Sequence, residues 1–249
     1  MRRRKTRSPL ERPLMGTVVV IRPGTSDFDD QHRIQGALDL PLNECGESQL
    51  PGIVEAVRHL GLDAVYASSS NPARETAEAV AAALGCPLKE CEDLTNMDLG
   101  LWQGLRFDEL RRKFPKVYKQ WAESPETICP PEGETVSAVL ERLERTLQKP
   151  LKKKGTIAIV ASEPLATLIA ASVSGKRPIC VCPIVNVDLK ELVQIIDTES
   201  HECTQLECTQ TESESRVSEH NEDSDAVLRE AGVTIATGGD DSDEFRSKT

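Results

Sequence analysis

The sequence is poor in aromatic residues and has no long apolar run. Aromatic side chains make up 3% of the 249 residues, against 38% for hydrophobic residues as a whole, so a core must be built mainly from Ala, Val, Leu and Ile. No window has the roughly 18 consecutive apolar residues that a membrane span needs, and the apolar run at residues 17–21 is too short for a secretory signal. We therefore expect a cytoplasmic protein that has no contact with a membrane.

The sequence also has no recognisable metal-ligand pattern. Its eight cysteines form no Cys-x-x-Cys pair, and none of its four histidines lies at ligand spacing beside them. This pattern is typical of thiols in a reducing compartment rather than of a disulfide framework or a zinc site. The sequence therefore predicts no metal, and it contains no sign of a cofactor.

Charge is distributed unevenly along the chain. The formal net charge is −11, and residues 197–249 alone hold 15 acidic and 4 basic residues, so residues 1–196 sum to zero. A groove that binds nucleic acid normally needs a basic face, and the zero net charge of residues 1–196 gives no sign of one. We expect no nucleic-acid partner.

Strand-like and helix-like segments alternate between residues 17 and 196. Buried strands are predicted at 17–21, 63–69 and 155–162, with at least one more within 184–195, and amphipathic or Ala-rich helices lie between them. This order predicts an α/β fold of three layers, with a mostly parallel sheet and helices on both faces. Such sheets bind ligands beyond the carboxyl ends of their strands, here in the loops after Ile21, Ala67 and Ala161.

Both ends of the chain differ in composition from this body. Residues 1–16 are a basic, flexible lead, and Met15 is an alternative start to Met1. Residues 197–249 are rich in Glu, Ser, Thr and Asp and cannot bury enough apolar surface to offset their ordering entropy. We expect this acidic segment to be disordered, and a protein partner could bind to it.

Five motifs occur in the order found in a known family. They read RPGTSDFDDQHRIQGALDLPLNECG, YASSSNPARETAEAVA, LTNMDLGLWQGL, PPEGETVSAVLERL and IAIVASEPLATLIA. Together they resemble the motifs of the histidine phosphatase superfamily, which includes the cofactor-dependent phosphoglycerate mutases, over residues 17 to about 196. The positions that fit the family's first motif are Arg22, Gly24, Arg33, Gln35, Gly36, Asp39, Pro41, Leu42 and Gly46.

The resemblance also implies a catalytic set, and most of it is replaced here. In the family, one histidine attacks phosphorus, two arginines clamp the phosphate oxygens, a glutamate protonates the leaving oxygen and a second histidine stabilises the transferring group. The two histidine positions fall on Pro23 and on Ser162, or on Glu163 if the register shifts by one residue. The remaining positions fall on Arg22, Pro72 and Asn96, and a loop asparagine of the family becomes Asp29.

Of these positions, only Arg22 has the side chain that the family uses. The loss at the first histidine position is the most severe, because Pro23 has neither a nucleophilic lone pair nor a hydrogen-bond donor. The leading hypothesis is a catalytically inactive pseudophosphatase with a binding or regulatory role. The alternatives are an active phosphatase or mutase that uses other residues, and an interaction protein that acts through its acidic segment. If a small phosphorylated ligand or anion binds, we expect it near Arg22, Gly24, Thr25, Ser26, Asn96 and Ser162; Arg22 could instead pair with Asp29 or Glu163.

Overall fold

The computed structural model describes residues 16–123, 129–152, 154–176, 192–198, 200 and 202–206. Its strands are β1 Thr17–Ile21, β2 Ala64–Ala67, β3 Leu88–Glu90, β4 Thr156–Val160, β5 Val193–Asp197 and β6 Cys203–Leu206. Its helices are α1 Asp27–Asp30, α2 Glu44–Val57, α3 Ala73–Leu84, α4 Phe107–Lys113, α5 Pro115–Glu123, α6 Val136–Leu147 and α7 Leu165–Ser174. Four 3₁₀ turns lie at Arg58–Leu60, Glu92–Leu94, Gly100–Trp102 and Pro150–Lys152.

These strands form one sheet in the order β3-β2-β4-β1-β5-β6. The strands β3, β2, β4 and β1 are parallel, whereas β5 runs antiparallel to β1 and β6 antiparallel to β5. Ile21 and Ala67 both pair with Val160, so β1, β2 and β4 end at the same level. The mostly parallel α/β sheet predicted from the sequence is confirmed, and three of its loops start side by side.

Helices cover both faces of this sheet. Side chains alternate along a strand, so Val18 and Val20 enter one hydrophobic cluster while Val19 and Ile21 enter another. The first cluster contains buried residues of α4, α6 and α7, and the second contains those of α2 and α3. The predicted three-layer arrangement is therefore present.

Several local features follow directly from the sequence. Pro115 is the first residue of α5 and separates it from α4, since proline has no N–H and a fixed φ. Thr135 caps α6, where its side chain accepts a hydrogen bond from the backbone N–H of Ala138 at 3.2 Å. Among the described helices, none is long and apolar enough to cross a membrane.

The sheet continues beyond the boundary predicted at residue 196. Strand β6, Cys203–Leu206, lies in the segment that the sequence predicts to be disordered, and it pairs with β5 through residues 193–196. The turn between the two strands is built by Asp197, which accepts hydrogen bonds from the backbone N–H and the hydroxyl of Ser200. An edge strand of this kind depends on backbone pairing more than on apolar burial, so composition did not reveal it. Residues 1–15 and 207–249 lie outside the described residues.

Candidate functional site

Loops from three parallel strands meet at one edge of the sheet. Arg22 follows β1, Ser68 follows β2, and Ser162 and Glu163 follow β4. Since β4 lies between the other two strands, its loop is next to both of the others. This is the ligand edge that the strand order predicts for a sheet of this type.

Arg22 forms an ion pair with Glu163 at this edge. Its Nε lies 2.5 Å from Oε1 of Glu163, and the two side chains are 11% and 15% exposed. The second carboxylate oxygen, Oε2, accepts a hydrogen bond from the backbone N–H of Thr167 in the first turn of α7, at 3.3 Å. Asp29, the other partner considered for Arg22, instead accepts hydrogen bonds from the backbone N–H and hydroxyl of Ser26, both at 2.7 Å.

The two residues on which the second family histidine could fall make different contacts. Glu163 directs its side chain to Arg22, whereas Ser162 lines a neighbouring cleft and its carbonyl accepts a hydrogen bond from Ala166 N at 3.0 Å. Glu163 is therefore the residue that takes a place beside the arginine. Which of the two residues corresponds to the family's histidine stays a prediction, because a strand-to-helix loop has no periodicity from which its register could be read.

Asn96 connects three segments through its side-chain amide. Its Nδ2 donates to the carbonyl oxygens of Gly36 and Glu163 at 2.9 and 2.8 Å. Its Oδ1 accepts from the backbone N–H groups of Met97 and Leu165 at 2.9 and 3.2 Å. An amide has two donor hydrogens and two acceptor lone pairs, so the hydrogen-bonding capacity of Asn96 is used within the protein. A glutamate here could not make the two donor contacts.

The loop after β1 directs its backbone N–H groups at protein oxygens. Gly24 N donates to Oγ1 of Thr76 at 3.2 Å, and Thr25 N donates to Oε1 of Gln49 at 3.0 Å. Ser26, which is fully buried, donates to Asp29, and Pro23 has no N–H. At residues 23–26, therefore, each backbone N–H group that could bind an anion either is absent or already donates to an oxygen atom of the protein.

Close packing explains why this loop keeps its glycine. A Cβ at Gly24 would lie 2.5 Å from the carbonyl oxygen of Gly46, at the start of α2. Other residues of the first motif also shape the loop: Arg33 donates to the carbonyl of Gly104 at 2.6 Å, and Asp39 accepts from Asn71 N at 2.8 Å. Such contacts preserve the family motif independently of catalysis.

The position of the second clamping arginine holds Pro72, which is buried at the start of α3. Arg74 lies two residues further on, and its Nε pairs with Oε1 of Glu78 at 2.8 Å on the exposed side of the same helix. Two residues along a helix correspond to a rotation of about 200°, so the side chain of Arg74 faces another direction and cannot replace an arginine at position 72.

A small cleft with uncharged walls lies beside the ion pair. It encloses about 240 Å³ including its open mouth, and its narrow part has room for about one water molecule. The buried Oδ1 of Asn71, one of its lining groups, has no hydrogen-bond partner. Of the six anion-site candidates, Asn96 and Ser162 line it, and Arg22, Gly24, Thr25 and Ser26 do not. The lining residues are Gln35, Gly36, Ala37, Leu38, Ser68, Ser70, Asn71, Ala73, Leu94, Thr95, Asn96 and Ser162.

Negative charge lies close to the loop after β1. Helix α1 contains Asp27, Asp29 and Asp30, and the pKa of Asp30 is raised above its ordinary value, chiefly by burial and then by the charges of Asp29 and Asp27. A hydrogen bond from Asn43 acts in the opposite direction. This local field disfavours a bound anion.

His32 and Trp102 do not line the cleft. His32, in the same loop, adopts a positive φ of 53°, and its Nδ1 is buried without a partner. Trp102 is 5% exposed and stacks against Trp121 with their ring centroids 5.1 Å apart, so it belongs to the core. Within the described ranges, no group of three or more His, Cys, Asp or Glu residues could hold a metal ion.

A sequence comparison agrees with this geometry. Residues 18–195 match the sequence profile of the histidine phosphatase superfamily, branch 1. The chain belongs to this superfamily. The match includes residues of β1 to β5 and the three loops that meet at the edge of the sheet.

Named relatives include both phosphatases and mutases. The chain is 25% identical over 146 residues to phosphoserine phosphatase 1 of Hydrogenobacter thermophilus, which covers 59% of this chain and 69% of that protein. It is 26% identical over 183 residues to "Probable phosphoglycerate mutase GpmB" of Salmonella arizonae, covering 70% and 85%. A "Bifunctional protein" of Mycobacterium tuberculosis is 32% identical over 129 residues, which are 51% of this chain and only 35% of that protein.

Solved structures share the fold. The mycobacterial glucosyl-3-phosphoglycerate phosphatase, solved in complex with VO3, superimposes with a TM-score of 0.65 at 22% identity, over 76% of this chain and 97% of that one. At this level of identity the likeness supports the fold alone.

Proposed function

We propose that this protein is a non-catalytic member of the histidine phosphatase superfamily, a pseudophosphatase with a binding or regulatory role. The observation that carries the proposal is the Arg22–Glu163 ion pair. Glu163, one of the two residues on which the second family histidine could fall, lies against the retained arginine. The position of the nucleophile holds Pro23.

The barrier to phosphoryl transfer depends on how the negative charge of the reacting group is stabilised. Phosphoryl transfer needs a nucleophile and a set of cationic or donor groups that stabilise the negative charge on the transferring oxygens. Here the nucleophile position has no lone pair, and the second clamp position, Pro72, has no charge. Glu163 adds a negative charge, and the amide of Asn96 is engaged in four hydrogen bonds. Each change raises the barrier, and they all act on the same step.

Two alternatives remain open to test. In the first, the protein is an active phosphatase or mutase that acts on phosphate monoesters through residues other than those of the family. Relatives are named as phosphatases and mutases, and Ser162, which lines the cleft, has a hydroxyl group that favours this alternative. In the other alternative, the protein acts through the acidic segment 197–249 as an interaction protein.

The proposal is tested by measuring turnover of the full chain with p-nitrophenyl phosphate and with phosphoglycerates. We expect no phosphate release or isomerisation above the protein-free background, and no difference between the wild type and Ser162→Ala. An active family phosphatase in the same assay serves as the positive control. Turnover that co-purifies with the wild type and is absent from Ser162→Ala would support the active alternative instead.

A second readout concerns the covalent intermediate. Incubation with a labelled phosphate ester, followed by mass analysis of the intact chain, is expected to show no added phosphoryl group. A stable phosphorylated residue within 17–196 would contradict the non-catalytic assignment even if turnover were too slow to measure.

A further inference from the structure

We infer that Glu163 is an internal anion that determines the charge preference of this site and excludes phosphate from Arg22. The inference deepens the proposed function and rests on it for the location of the site. It assigns to Glu163 a role in specificity, which is separate from the loss of the nucleophile.

Two features that attract anions converge on this one carboxylate. Arg22 contacts Oε1, and the first turn of α7 contacts Oε2 through the backbone N–H of Thr167. The ten-residue helix α7 directs the positive end of its dipole toward that turn. A guanidinium and a helix N-terminus are the groups that commonly bind a phosphate, and here Glu163 engages both.

The carboxylate is fixed in place by its own backbone. Asn96 donates to the carbonyl oxygen of Glu163 and accepts from the N–H of Leu165, so its amide clamps the peptide groups on both sides of Pro164. With side-chain exposures of 11% and 15%, Arg22 and Glu163 are largely shielded from solvent. Asn96 is thus a positioning residue for Glu163. The Arg22–Glu163 ion pair therefore differs from an exposed ion pair, whose side chains reorient freely.

Within the described ranges, no lysine or arginine lines the cleft to offset the carboxylate. The cleft walls consist of uncharged side chains, and the acidic helix α1 lies beside the loop that carries Arg22. A phosphate near Arg22 would therefore meet Glu163 at short range in a partly desolvated site, where like charges repel strongly. Removing only this charge should convert the site into one that binds phosphate.

The experiment compares inorganic phosphate binding by the wild type, Glu163→Gln and Glu78→Gln, by calorimetric titration of the full chain. Glu78→Gln is the matched control, because it makes the same change of charge in the exposed Arg74–Glu78 pair. We expect Glu163→Gln to bind phosphate at least about tenfold more tightly than the wild type, which corresponds to about 1.4 kcal/mol of removed repulsion. Glu78→Gln should match the wild type.

The double variant Arg22→Ala/Glu163→Gln locates the new site. We expect it to lose the phosphate affinity gained by Glu163→Gln. An equal gain in Glu163→Gln and Glu78→Gln would overturn the inference, because it would show a general effect of net charge. An undiminished gain in the double variant would also overturn it, because Arg22 would then not hold the anion.

A measurement on the wild type guards against a variant that fails to fold. In an NMR titration, the Nε–H signal of Arg22 should keep its position as phosphate is added, because Glu163 remains its partner. A saturable shift of that signal would overturn the inference. Turnover by the wild type, in contrast, would contradict the proposed function and would leave this comparison of phosphate affinities interpretable, so the two failures can be told apart.

Discussion

Asn96 shows how one side-chain amide can hold three segments of a fold together. The amide joins Gly36, Glu163 and Leu165 through contacts that a carboxylate cannot reproduce, because an ionised carboxylate only accepts hydrogen bonds. The sequence indicates that the family's acid is missing at this position. It does not indicate what the replacement binds, since the three partners are 60, 67 and 69 residues away along the chain.

Substitution of Asn96 therefore changes stability. We expect Asn96→Asp to lower the free energy of unfolding by about 2–4 kcal/mol, because two carbonyl oxygens lose their donors and face a negative charge. Asn96→Ala should have an effect of similar size through the loss of all four hydrogen bonds. Urea unfolding at neutral pH measures both effects. A loss below about 0.5 kcal/mol in both variants would show that the clamp does not contribute to the stability of the fold.

Asp30 gives a prediction about pH. Its pKa is raised above 3.8 in the folded state, so the ionised form is disfavoured by folding. The resulting cost is fully present above the folded pKa and vanishes below the unfolded pKa, and stability therefore falls as the pH rises through that interval. We expect Asp30→Asn to raise the free energy of unfolding at pH 7 by less than about 1 kcal/mol, since the residue is exposed and its carboxyl group is only partly desolvated.

The check is a series of thermal melts of Asp30→Asn and the wild type between pH 3 and pH 7, a range chosen around the carboxyl titration. The difference in melting temperature should shrink toward zero at the acidic end. A difference that grows on acidification would reverse the sign argued here and would mean that the ionised form of Asp30 stabilises the fold.

The sequence predicted most of the secondary-structure elements, because their signals are local. The runs TVVVI and TIAIV are apolar and β-branched, the caps Thr135 and Gly85 mark helix ends, and Pro115 marks a break. The short edge strands β3 and β6 were not predicted. Each depends on a neighbouring strand that supplies its backbone partners, and a window of three or four residues does not contain that information.

The role of β6 can be tested by truncation. A chain that ends at Leu206 keeps the β5–β6 pair, whereas one that ends at Thr198 loses it and leaves β5 as the edge of the sheet. We expect the first to melt within error of the full chain. The second should lose about 1–2 kcal/mol, the contribution of a few backbone hydrogen bonds.

Differential scanning calorimetry of the three chains separates the two contributions. A lower melting temperature in the chain that ends at Leu206 would contradict the predicted disorder of the acidic residues after β6. Equal melting temperatures for the two truncated chains would show instead that β6 adds no stability to the sheet.

At the scale of the whole molecule, the acidic charge is concentrated in the last part of the sequence. Residues 1–196 are neutral overall and residues 197–249 carry the net charge of −11. We propose that these acidic residues bind a basic protein surface, and we expect no nucleic-acid partner. This proposal is independent of the cleft, because no residue that lines the cleft belongs to segment 197–249.

The fold and its ligand edge were predictable because strand order and motif order are both written along the chain. The chemistry of the site was predictable only as a set of missing groups at Pro23, Pro72 and Asn96. The new contacts were not, because Arg22 and Glu163 are 141 residues apart and either of two acidic residues could have been the partner. Tertiary structure was needed to choose between them.

The hydrogen bonds made by the loop at Gly24–Ser26 and by Asn96 also limit what a single substitution can change at this edge. A histidine placed at residue 23 would adjoin amides that are already bonded and an arginine that is paired with a carboxylate. A glutamate placed at residue 96 would leave two carbonyl oxygens without the donors that Asn96 supplies. Introducing either family residue alone therefore rearranges contacts of the fold and leaves Glu163 on the arginine.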